Sequence, residues 1–124
     1  MNSSTKQDKK SLPLHERLGQ LKGEIMAIDP KDYIDANREI VGRFRQNYSN
    51  TVFCYNEWDK HRDYSSLIHA SMAIGKLMDS NEMMASISGH RSEEMNRLRD
   101  NVTHLAVECW ENIRAATGRI VPFE

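Results

Sequence analysis

The chain's only prolines, Pro13, Pro30 and Pro122, leave residues 31–121 free of the residue that costs a helix interior both a hydrogen bond and a steric clash. In that stretch, and in the shorter one before it, apolar residues recur at steps of three and four. Leu14, Leu18, Leu21, Ile25 and Ile28 draw one stripe of a first helix. "DPKD" then offers Asp29 as a cap, Pro30 at the first helical position and Asp32 in the first turn, so a second helix is expected to start at Pro30. Its stripe runs through Ile34, Val41, Phe44, Tyr48, Thr51 or Val52, Tyr55 and Trp58.

Within that helix "NYSNTVFCY" pulls two ways. Ser and Asn suit a turn, and Thr, Val, Phe and Tyr suit a strand. Yet Tyr48, Tyr55 and Trp58 keep the helical register through the segment, which predicts an unbroken helix, apolar on more than one side. Asp63 is positioned to cap a third helix with the stripe Tyr64, Leu67, Ile68, Ser71, Ile74, Leu77 and Met78. "DSNE" and "SISGHRS" read as breakers around "MMASI", which is either one extra turn or a continuation. Ser92 is the expected cap of a last helix carrying Met95, Leu98, Val102, Leu105, Cys109, Ile113 and Ala116, stopped by Gly118 and Pro122.

Short connections between such helices imply antiparallel neighbours. The expected fold class is therefore all-α: an antiparallel bundle of about four helices, one of them long. At 124 residues one domain is expected, over residues 11–124. Residues 1–10, "MNSSTKQDKK", are too polar to offset the entropy of ordering and are expected to form a disordered tail.

Charge excludes little. Seventeen basic and 18 acidic residues give a formal net charge of −1, so the total draws the chain to neither nucleic acid nor an anionic membrane. No run approaches the roughly 18 apolar residues of a membrane span, and the N-terminus lacks the apolar core of a signal peptide. Cys54 and Cys109 sit within apolar patterns, far apart in sequence, as reduced and buried thiols do, and a cytoplasmic location is expected.

Motifs for chemistry are sparse. His104, Glu108 and Glu111 share a helix face, as do Glu57 and His61, but metal sites in helical bundles need several such faces to converge. Glu93 and Glu94 have no second acidic cluster in register and suit the start of a helix electrostatically. The glycines are scattered, forming no phosphate loop. No catalytic residue, cofactor or metal ligand is therefore assigned. Arg38, Arg43 and Arg45 on the second helix and Arg91, Arg97 and Arg99 near the start of the fourth would supply phosphate contacts if their faces aligned, giving a nucleic-acid-binding regulator as the alternative function. A metal- or nucleotide-dependent bundle enzyme is a second alternative.

Surplus apolar surface points elsewhere. Val52, Phe53 and Cys54 widen the stripe of the second helix, and Val107 and Trp110 add an edge to the fourth. A four-helix monomer needs one stripe per helix, so these residues are candidate interface. Met72, Met78, Met83 and Met84 either extend such a surface adaptably or fill core gaps. The expected function is that of a small non-enzymatic interaction or regulatory protein that forms a homodimer, with a coiled-coil-like seam, and binds a macromolecular partner. Because residues 1–10 contribute nothing to the expected core, deleting them should leave the melting midpoint within about 4 °C of the full chain, the shift that roughly 1 kcal/mol produces in a small domain.

Overall fold

In a computed structural model of the chain, residues 12–88 and 93–118 are described; the expected tail, the Ser92 cap, Arg91 and the Pro122 stop lie outside them. The chain is all-α. Four helices run α1 (Leu14–Met26), α2 (Asp35–His61), α3 (Tyr64–Ser88) and α4 (Glu93–Thr117), with a 3₁₀ turn at Pro30–Asp32. Helix α2 packs on α1 and α3, and α4 packs on the same two, so α2 and α4 stand at opposite corners of a four-helix bundle. Bridges at Tyr48–Leu18 and Arg45–Met26 show α1 antiparallel to α2, and those at Thr51–Ala73 and Asn47–Ser80 show α3 antiparallel to α2. This is the expected architecture.

One cluster of buried side chains fills the centre, with Trp58, Tyr48 and Phe44 the largest. The phenol of Tyr48 is buried, and its hydroxyl donates to the Leu18 carbonyl on α1 at 2.7 Å. Tyr55 accepts from Asn112 of α4 at 3.0 Å, and its ring lies 5.5 Å from that of His15. The second-helix stripe thus faces the core as its register predicts.

"NYSNTVFCY" is helical throughout, and its polar residues explain how. Asn47 reaches the Lys76 carbonyl at 3.4 Å and the Ser80 hydroxyl, while Thr51 shares its hydroxyl between the Asn47 carbonyl at 2.8 Å and the Ala73 carbonyl at 3.1 Å. Asn47 is held by α3, and Thr51 bonds its own helix one turn back and α3 at once, so both polar groups are satisfied without a turn.

Several expectations need correction. Helix α2 starts at Asp35, not Pro30: Asp29 caps only the 3₁₀ turn, accepting from the Lys31 amide at 2.9 Å. Tyr33 rather than Ile34 then packs on the core, and Ile34, the N-cap residue of α2, is exposed. "DSNE" does not break α3. Ser80 and Asn81 are buried within it, and the Asn81 side chain donates to the Arg99 carbonyl at 3.1 Å and the Thr103 hydroxyl at 3.0 Å, while the Asn81 backbone carbonyl accepts from Arg99 Nε at 3.1 Å. Polar residues that look like breakers here join α3 to its neighbours, Ser80 to Asn47 of α2 and Asn81 to α4. Tyr64 and Ala116, expected on their stripes, are exposed at the helix ends.

The α2–α3 turn is two residues long. Arg62 takes a left-handed conformation (φ 58°), its amide closing α2 onto the Trp58 carbonyl at 2.7 Å. Its guanidinium stacks 4.3 Å from the Trp58 ring centroid and bonds Asp59 Oδ1 at 2.6 Å. Asp63 then caps α3 as expected, accepting from the Ser66 amide at 2.8 Å. Since a β-carbon makes this conformation costly and only the side-chain contacts compensate, Arg62→Ala should be less stable than Arg62→Gly by about 1 kcal/mol in urea unfolding. Equal stability would mean that the conformation carries no strain.

Candidate interaction surfaces

The candidate interface residues divide. Val52, Cys54 and Trp110 are partly buried and pack against the core, so most of their surplus apolar surface is absorbed within the chain. Phe53 and Val107 are not absorbed: 65% and 38% of their surfaces are exposed. Phe53 leaves α2 on the side opposite the residues that enter the core, and Val107 does the same on α4. As α2 and α4 occupy opposite corners, these two side chains point away from one another and form no common patch. A contact joining Phe53 of one copy to Val107 of another would be heterologous and would propagate rather than close.

The methionines also divide. Met84 is buried and Met78 partly so, whereas Met72 and Met83 stand 45% and 50% exposed on α3. Sequence reasoning left these two between core and surface; Asn47, bonded to Lys76 and Ser80, fixes which side of α3 meets α2 and which turns outward. Met72 lines a shallow pocket of about 210 Å³ between α2 and α3 with Asn50, Cys54, His69, Ala73 and Lys76. Met83 borders a wider, more polar groove of about 810 Å³ on the same seam, flanked by Glu39, Arg43, Lys76 and Asp79. At the far end of the bundle a cleft of about 550 Å³ has an apolar floor that includes Ile28, Ile87 and Leu98, with carboxylates from Glu24, Asp32 and Glu94 at its edge.

The arginines do not assemble into a stripe. Arg38 pairs with Asp35 at 2.7 Å and donates to the Tyr33 carbonyl; Arg43 pairs with Glu39 at 2.8 Å; Arg45 donates to the Met26 carbonyl at 3.0 Å. Arg99 is turned toward α3 and Arg97 toward the α1 side, where it lines a small cavity with Arg17 and His104. Arg91 lies outside the described residues.

Helix α1 is laced to both neighbours by polar side-chain bridges. Arg17 forms a two-pronged bridge to Glu108 of α4, at 2.8 and 2.7 Å, and His15 meets Asp59 of α2 at 2.9 Å. Glu108, the centre of the His104–Glu108–Glu111 face, is thereby committed to a guanidinium. Among the described residues no group of three or more His, Cys, Asp or Glu side chains could hold a metal ion. Nor is any described helix long and apolar enough to cross a membrane. Both cysteines are free; burial raises the thiol pKa of Cys54, and that of Cys109 to about 12. Neither is therefore an activated nucleophile at neutral pH.

No family model, curated protein or solved structure matches the chain.

The lacing has a pH signature. Arg17 holds the Glu108 carboxyl below its ordinary 4.5, and Arg62 first, then His15, hold Asp59 below its ordinary 3.8. A carboxyl depressed in the folded state stabilises fully above its unfolded pKa and loses that contribution as pH falls through the folded value. Stability should therefore decline as pH drops below about 4.5. Glu108→Gln should cost roughly 0.2 to 1 kcal/mol at neutral pH, the range for solvent-accessible pairs, and should flatten the acid decline in urea titrations at stepped pH. An unchanged acid profile would remove the bridge from the account.

Proposed function

We propose that this chain is a small helical interaction protein, non-enzymatic and regulatory, that self-associates as a dimer and binds a macromolecular partner in the cytoplasm. The observation that carries the reading is Phe53, a large aromatic side chain in the middle of a 27-residue helix, 65% exposed and directed away from its own core. Leaving such a ring in water forgoes roughly 1.5 to 3 kcal/mol of burial. Nothing within the helix requires it, since the stripe through Tyr48, Tyr55 and Trp58 already supplies the core contacts.

Met72 and Met83 on the adjoining helix add adaptable apolar surface to the same side of the molecule, as interaction surfaces commonly do. The polar chemistry of the bundle is largely internal. Arg17, Arg45 and Arg99 bridge helices, and Asn47, Asn81 and Asn112 bind across them, which is the usage of a scaffold rather than of a reaction centre. A cytoplasmic setting suits two free thiols whose burial keeps them protonated.

Light scattering with far-ultraviolet circular dichroism tests the self-association. The wild type should be a dimer at micromolar concentration and Phe53→Asp a folded monomer, because the substituted side chain is exposed in the single chain and its loss removes only an intermolecular contact. A wild type that stays monomeric rejects the proposal, and an unfolded Phe53→Asp would place Phe53 in a core contact instead.

A further inference from the structure

We infer that the receptor for Phe53 is the shallow pocket on the α2–α3 seam of a second copy of this chain, so that two copies close by reciprocal insertion. The inference rests on the self-association proposed above and adds to it the surface that receives the ring. The pocket is about 210 Å³ in volume, its exposed wall is mostly apolar, and Cys54, Met72 and Ala73 supply that character. An enclosed apolar cavity of roughly 150 Å³ takes up a benzene ring, so the volume is of the right order for a phenylalanine ring, which here would also meet Asn47, Asn50, His69 and Lys76.

Position matters as much as size. Cys54 forms part of the pocket and is the residue next to Phe53, so the projecting ring and the pocket share one stretch of α2. Thr51, bonded to the Ala73 carbonyl, fixes the height at which α3 completes the pocket. Neighbours on a helix point about 100° apart, so the ring leaves α2 at the pocket's height on the adjoining flank; a twofold axis along α2 would carry each Phe53 over the other copy's pocket, and the assembly would close at two. Val107 stands on α4, at the opposite corner from this pocket.

Charge agrees with that placement. Glu57, 3.3 Å from His61 of its own helix, stands one helical turn beyond Phe53, and the pocket is bordered by Lys76 and by His69. An acid beside the ring thus meets cationic and ionisable groups beside the hole, in both directions at once. Area is sufficient as well. A face two helices wide along the 27-residue α2, about 40 Å long, offers on the order of 800 Å², the amount a standard interface covers on each partner.

Sedimentation equilibrium of the full chain at micromolar concentration, with Met72→Asp beside Phe53→Asp and Val107→Asp, tests it. Met72 is exposed, so its replacement leaves the single chain folded, and circular dichroism verifies this. Met72→Asp and Phe53→Asp should each weaken dimerisation at least about tenfold, while Val107→Asp stays at the wild-type value. If Phe53→Asp dissociates the dimer and Met72→Asp does not, self-association stands and the pocket is wrong. If Val107→Asp dissociates it, the contact runs through α4 and reciprocal insertion is overturned. If the wild type is monomeric throughout, the self-association falls and the inference with it.

Discussion

The amide of Asn47, reaching from the middle of α2 to Lys76 and Ser80 on α3, sets the register on which the outer surface depends. Helices slide past one another at little cost when only apolar side chains meet, because several registers bury similar areas. A polar side chain with one satisfactory partner removes that freedom, since slipping by a turn would strand buried donors and acceptors. Thr51 repeats the device one turn later, against the Ala73 carbonyl. Asn81 with Arg99 and Thr103 does the same on the other side of α3. The apolar core supplies most of the stabilisation, and these bonds choose among the ways it could be packed.

That choice decides which residues face outward. With α3 held at this height and rotation, Met84 enters the core and Met72 and Met83 do not. Nothing in their local sequence distinguishes the three; a rotation of α3 by one residue's worth of angle would exchange their roles. The surface of this protein is therefore a by-product of buried polar contacts, and a substitution at Asn47 or Asn81 would be felt at Met72 without touching it.

Much of the fold was legible because it is written locally. Steps of three and four located all four helices, Asp63 announced its own cap, and Tyr48, Tyr55 and Trp58 carried α2 through a segment with strand and turn composition. What local reasoning could not supply is tertiary. Ser80 and Asn81 look like breakers because their partners lie on other helices, and Arg17 finds Glu108 across 91 residues of sequence. Ile34 fits the apolar period but falls just before the helix begins, where that period no longer applies. Phe53 and Val107 were both recognisable as surplus to the core; that they occupy opposite corners followed only from the order in which the helices pack.

Cys109 gives the molecule an internal clock. Its thiol is fully buried and held protonated, while Cys54, on the same chain, is only half-buried in the wall of an open pocket. A thiol reagent added to the native protein meets the two under different rules: Cys54 reacts at a rate set by its surroundings, Cys109 only in the moments when α4 parts from its neighbours. The ratio of the two rates measures how often the bundle opens, under native conditions and without denaturant, and a ligand or second copy that covered the α2–α3 seam would slow the first without first having to alter the second.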